Sequence, residues 1–424
     1  MLNEKLLFAL WKFKIFSEYP LKTISNKVVE IIFPGELNNN SGPDFLNAKV
    51  KIDNILWAGN IEFHLKTSDF LKHQHQYDKN YHSLILHIVY EHDVNIDLPN
   101  LIEVIELKNF ISPKTIEQYS SLVNQPNAPT CLNLWNKIDN IIIEHWLHRL
   151  AIERLEKKFQ QIQQYFQKTK DYQETFYRLF CRHLGFKVNN DTFEMLAEKL
   201  PLKILLKHSD RLDILEALIY GTAGFLNQAY KDNYLTSLQN EFDFLKKKYQ
   251  IEPLNAHLWK FARMRPSNFP SLRLHQLALM IHRLPQMFTD PAAFFLNKNH
   301  LEKMHLEPQK YFSNHLTFEE DKFVSKSYSF GNSSVQLILI NVIVPYLFFY
   351  AKNTGEEKYQ DLALQYLEQL PPETNHIIKK FHQHKNFSTS ALHSQALLEL
   401  YPKYCQQKRC DECNIGIKII SGLS

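Results

Sequence analysis

Residues 55–66 read ILWAGNIEFHLK, and the alternation at their end decides how the first quarter of the chain folds. Along a strand successive side chains point to opposite faces. Ile61, Phe63 and Leu65 therefore face one way and Glu62, His64 and Lys66 the other. The first set is apolar and belongs in a core. The second is an acid, an imidazole and an amine in a row. Just upstream, FLNAKVKI (45–52) also alternates, with Ala48, Val50 and Ile52 opposite Asn47, Lys49 and Lys51, the pattern of a half-buried strand. Asp53-Asn54 is a tight turn that folds the two strands together. Pro43-Asp44 opens the first of them, so the hairpin register decides whether Asp44 meets Glu62.

Further outward, Leu2, Leu6, Leu7, Leu10 and Trp11 recur at helical spacing and predict a helix over about 3–16. Lys27–Phe33 is a short β-branched run, hence a strand, followed by turn residues at 34–35 and 38–43. Thr67-Ser68-Asp69 supplies an N-cap signal for a short His-rich segment. Leu84–Tyr90 is almost continuously apolar, as in a central strand, and a last strand is expected over about 101–107. The order is α-β-β-β-α-β over residues 1–112. From there helical periodicity dominates: 139–167, 171–184, 191–200, 210–229, 231–249, 271–284, 333–351, 356–369 and 389–400. The expected plan is α+β: a mixed-sheet domain (1–112), an all-helical domain (113–400) and a cysteine-bearing C-terminal segment (401–424).

Bulk composition agrees. Of 424 residues, 44% are hydrophobic and 22% charged, and glycine is scarce (10). The net charge of +4 gives no sign of a wholesale polyanion binder, though a local basic groove remains compatible with it. No run reaches the 18 or more apolar residues of a membrane span, since Val335–Ala351 contains Gln336, Asn341 and Pro345. The N-terminus reads as an amphipathic helix and not a signal peptide. Five cysteines in so long a chain are not a secreted disulfide framework, which points to the cytoplasm.

The combination Pro43-Asp44, Glu62, then a basic residue on the same strand face, within an α-β-β-β-α-β order, resembles the PD-(D/E)XK nuclease superfamily. The resemblance implies a restriction-endonuclease-like core in which Asp44 and Glu62 hold Mg²⁺ or Mn²⁺ and a lysine orients or activates water. Here His64 occupies the lysine position, and Lys66 follows one strand repeat later. On chemical grounds His64 suits a general base and Lys66 suits a developing negative charge. Glu36 is a candidate third acid. The plainer alternative is an exposed polar strand face. His73-x-His75 with Asp78 is a transition-metal or phosphate-contact pattern, or simply a polar loop. His87, inside an apolar strand, reads as a hydrogen-bonded core histidine.

Two further motifs lie in the helical part. WKFARMRPSNFPSLR (259–273) carries Arg263, Arg265 and Arg273 beside aromatic residues, a set suited either to nucleic-acid phosphates or to pinning a loop. Arg149, Arg154 and Lys157-Lys158 read as a solvated helix face. Cys405, Cys410 and Cys413 include a Cys-x-x-Cys turn that lets thiolates reach one metal, Zn²⁺ or an iron–sulfur cluster. Cys131, Cys181, His384 and His393 are candidates for the fourth ligand, and three unliganded thiols are the alternative. The chain also resembles a bacterial family, domain of unknown function 2851. That likeness is carried by Gly42-Pro43-Asp44-Phe45, Gly59-x-Ile61-Glu62-x-His64, His73-x-His75 and Arg263-Met264-Arg265-Pro266. The expected function is a metal-dependent nuclease acting on DNA or RNA. The alternative is a non-catalytic nucleic-acid-binding or scaffold protein with a degenerate nuclease fold and a structural metal.

Overall fold

The computed structural model describes residues 2–96, 102–126, 129–297, 302–319, 328–382 and 389–422. The chain divides into two compact units. Unit one gathers residues 1–150, 375–387 and 397–424, and unit two holds 151–374 and 388–396. The sequence reading divided the chain at 112 and 400; the structural division instead falls inside two helices, Asn140–Thr169 and Ala391–Leu400.

Unit one is built on a seven-stranded mixed sheet: β1 (Leu21–Lys22), β2 (Val28–Phe33), β3 (Glu36–Leu37), β4 (Phe45–Ile52), β5 (Ile55–Lys66), β6 (Leu84–Glu91) and β7 (Glu103–Glu106). The order is β1-β2-β4-β5-β6-β7, with β3 added to β4. Pairing is antiparallel through β5 and parallel from β5 to β7. The expected strand near 101–107 is β7; residue 101 lies outside the described residues. Helix α1 (Glu4–Phe13) is capped by the Asn3 side chain, which accepts from the Leu6 N–H. Its Phe8 and Trp11 rings pack edge-on against Phe63, and Phe8 also meets Phe45. This is the core face foreseen from Ile61 and Phe63.

The β4–β5 hairpin turns at Asp53-Asn54, both left-handed (φ 46° and 71°). Its register runs Ile52↔Ile55 through Ala48↔Gly59, then shifts to Phe45↔Ile61. Asn47, at φ 57°, is the extra residue of this bulge, and its N–H is taken by the Asn60 side chain. An unbroken register would set Asp44 against Phe63. The bulge sets it against Glu62 and also turns Phe45 into the core beside Phe63.

The other sheet face is covered. Helix α2 (Asp69–Lys72) and the 3-10 turns His75–Tyr77 and Lys79–Tyr81 lie over β5, with Phe70, Tyr81, Leu84 and Ile102 as a small apolar cluster. Glu62 and His64 are therefore buried, 5% and 1% exposed, and the alternative of an open polar strand face is excluded for them.

Unit two is helical, with an aromatic core in which Phe176 meets Phe288 and Tyr346. The run Asn332–Thr354 is long and apolar enough to cross a membrane, but 72% of its most apolar window is buried inside the protein. Pro345 does not break it; a π-helical turn, Leu339–Ile343, takes up the distortion just before the proline. Arg273 was a candidate phosphate contact, but the structure places it in the interior, 2% exposed. Its guanidinium bonds Asn268, Gln276 and Ser334 and lies between the Phe186 and Phe330 rings. It pins the 259–273 loop. Arg263 and Arg265 are exposed.

The expected solvated face of Arg154 and Lys158 is likewise corrected. Arg154 Nε donates to Gln395 Oε1 at 2.8 Å, and Lys158 Nζ donates to Asn341 Oδ1 at 3.0 Å. Asn341 sits on the π turn, and Glu373 bonds both amides. Burial, reinforced by the Arg154 charge, pushes the Lys158 amine down to about 7. A lysine whose folded pKa is depressed favours unfolding once the unfolded chain can protonate it. Stability therefore rises with pH between about 7 and the usual lysine value near 10.4. We expect the urea midpoint to shift upward between pH 7 and pH 9, and the Lys158→Met variant to show a smaller shift. Equal shifts in the two proteins would contradict the enclosed amine.

Candidate metal site

Three elements converge at the bulged end of the hairpin. The Asp44 N–H donates to Glu62 Oε2 at 3.1 Å, and the Phe63 N–H donates to Asp44 Oδ2 at 2.9 Å. The two carboxylates thus clasp each other's backbone across β4 and β5. Glu62 Oε1 lies 3.3 Å from His75 Nε2 and 3.8 Å from His64 Nε2. His64 Nε2 is 3.0 Å from His73 Nδ1, and His64 Nδ1 is 3.0 Å from His87 Nε2. His75 stacks on Tyr81 at 4.1 Å. His64, His73 and His75 each bring a potential metal-donor atom to within 4.8 Å of the others.

The electrostatics are those of a buried, closely packed donor set. Burial, then the neighbouring Asp44 charge, raises the Glu62 carboxyl well above the carboxylate range. Burial raises Asp44 as well. Burial also holds the His64 imidazole down to about 3, with His87, His73 and His75 adding to the effect. His64 is thus a neutral ring, the form that ligates metals. His87 is neutral for the same reason, and its Nδ1 is buried with no hydrogen-bond partner.

A raised folded pKa on a carboxyl means that the folded state binds the proton more tightly. That stability is full below the unfolded value near 4 and is lost as pH rises through about 7 and toward 9. We expect chelator-treated protein to melt at a lower temperature at pH 8 than at pH 5. Added Mn²⁺ should restore more stability at pH 8, because the cation competes with those protons. Chelated protein with equal melting temperatures at pH 5 and pH 8 would refute this.

Of the expected site residues, the fold gathers Asp44, Glu62, His64, His73 and His75. It leaves out Lys66, which is exposed at the end of β5 with its amine 3.9 Å from Glu91. Glu36, on β3 opposite Leu46, is exposed. The third carboxylate near the pair is Glu4, in the first turn of α1, close enough to act on Asp44 and Glu62, and itself influenced by His73. Nothing local in the sequence marks Glu4, since only the packing of α1 against β5 brings it near. Arg263, Arg265 and Arg273 all belong to unit two.

The model of family DUF2851, a protein family of unknown function, matches residues 4–376. The chain belongs to this family. No curated protein matches the chain, and neither does any solved structure. The DUF2851 match contains the whole carboxylate–imidazole group and Cys131, and ends before Cys405.

Proposed function

We propose that this DUF2851 protein is a divalent-metal-dependent phosphodiesterase, a nuclease acting on DNA or RNA. The observation that carries the reading is the Asp44–Glu62 clasp with His64 and His75 at Glu62 Oε1. Apart from the two-residue strands β1 and β3, the order α1-β2-β4-β5-α2-β6 supports it, because it follows the αβββαβ succession of restriction-endonuclease-like cores. Asp44, Glu62, His64 and His75 are the ligands. Mixed oxygen and imidazole donors suit Mn²⁺, Zn²⁺ or Fe²⁺ better than Mg²⁺, which prefers oxygen alone. Such a cation supplies charge neutralisation at the phosphate and a more acidic bound water. His73, the exposed ring of the group, stands 3.0 Å from His64 on the solvent side. His87 Nε2 positions His64 by its contact with His64 Nδ1. Arg263 and Arg265 are candidate contacts to nucleic-acid phosphates.

A second reading is favoured by His64 standing where the nuclease superfamily has lysine. On that reading the chain binds metal and nucleic acid without cutting. Calorimetric metal titration and cleavage assays on the full chain separate the two, using labelled single- and double-stranded DNA and RNA with Mn²⁺, Zn²⁺ or Mg²⁺. Metal-dependent cleavage stopped by chelator is the expected result. Metal binding without cleavage supports the second reading, and absence of both overturns the site.

A further inference from the structure

Four of the five cysteines meet in unit one. Cys131 precedes the 3-10 helix Leu132–Lys137, Cys405 ends the π turn Tyr401–Cys405, and Cys413 caps the helix Asn414–Ile420. That last helix packs on α3 (Pro113–Val123), and Lys408 reaches the Gln125 carbonyl, which draws the 405–413 loop to the segment before Cys131. Burial pushes the Cys405, Cys410 and Cys413 thiols up. In all three the next largest influence is the Cys131 sulfur, so that sulfur sits among the others. No two are joined as a disulfide, and Cys181 is buried in unit two. The sequence left the fourth partner open among Cys131, Cys181, His384 and His393; His384 lies outside the described residues.

The surroundings are those of liganded sulfur. A thiol is a weak acceptor, whereas a metal-bound thiolate draws N–H donors. Trp135 Nε1 donates to Cys131 Sγ at 3.3 Å. The Ile415 and Gly416 N–H groups face the Cys413 sulfur. Trp146 Nε1, on a residue 1% exposed, is directed at the Cys413 sulfur and has no other acceptor. Gly416 lets this turn close, since a Cβ there would stand 2.1 Å from the Cys410 carbonyl oxygen.

We propose that Cys131, Cys405, Cys410 and Cys413 form a four-thiolate metal centre that staples the C-terminal segment to the region after α3. Four cysteine thiolates hold either a tetrahedral zinc or an iron–sulfur cluster, and the sulfide content of the chain separates the two.

The test is elemental and acid-labile sulfide analysis of the full chain purified anaerobically, with its visible absorption. Stoichiometric zinc, or iron with stoichiometric sulfide, is expected. Cys131→Ser should lower that metal content at least about tenfold, while Cys181→Ser retains it. Alkylation of the unmutated chain gives a readout that needs no variant: four thiols stay protected until the metal is stripped. Neither metal, or four thiols that alkylate freely in the folded chain, overturns the centre.

Discussion

Glu62→Gln is expected to lower metal-dependent phosphodiester cleavage by at least about 10²-fold, the scale of removing a group that acts on the reacting centre. The amide is nearly isosteric, so packing under α2 is kept while the negative charge is lost. Glu62 accepts the Asp44 N–H through Oε2 and faces His64 and His75 through Oε1, so one carboxylate links both halves of the donor set. Metal affinity should fall together with rate, read by calorimetry alongside the cleavage assay. Lys66→Ala is the informative contrast. Its amine makes only a long exposed ion pair with Glu91, worth at most about 1 kcal/mol, so activity should stay within about fivefold of the unmutated protein. Equal losses in the two variants would overturn the assignment of the site to the bulged end of the hairpin. An unaffected Glu62→Gln would overturn the site itself.

Gly59→Ala should destabilise unit one by about 1–3 kcal/mol, the range for forcing an extra methyl into a packed interior. A Cβ at Gly59 would lie 2.5 Å from Ile85 Cγ2 and 2.7 Å from the Ser83 carbonyl oxygen. The second neighbour is backbone, so rotamer change cannot relieve the clash. The start of β6 must move away from β5, where the Asn60 N–H donates to that same Ser83 oxygen. The reduced freedom of the unfolded alanine chain returns only about 0.4–1 kcal/mol. Because β6 carries His87 two residues beyond Ile85, metal affinity should weaken about 10- to 100-fold, as for other disturbed outer partners of a ligand. Chemical denaturation followed by metal titration measures both effects. A variant as stable as the parent would show that the strands separate at no cost.

Much of this was legible in the residues alone. Periodicity located β4, β5 and β6 to within a residue, because strand alternation and continuous apolar runs are local consequences of which faces are buried. The same patterns gave the helices at 172–184, 233–249 and 357–369. The polar parity of Glu62 and His64 was visible, and so were the Asp53-Asn54 turn and the crowding of Cys405, Cys410 and Cys413.

Three decisions belonged to the tertiary structure. A single bulge residue, Asn47, determines whether Asp44 meets Glu62 or Phe63, and strand propensity does not specify where an extra residue is absorbed. Burial of Glu62 and His64 came from α2 and the turns after it, which lie over a face that alternation alone marks as polar. Charges that look solvated in a helical pattern, Arg154 and Lys158, found amide partners far along the chain, and the loop arginine Arg273 found distant aromatic ones. Side-chain chemistry and local periodicity are written residue by residue. Register and long-range partnership follow from the packing free energy of the whole fold, which is why the donors of the opening hairpin could be named in the sequence but brought together only by the folded sheet.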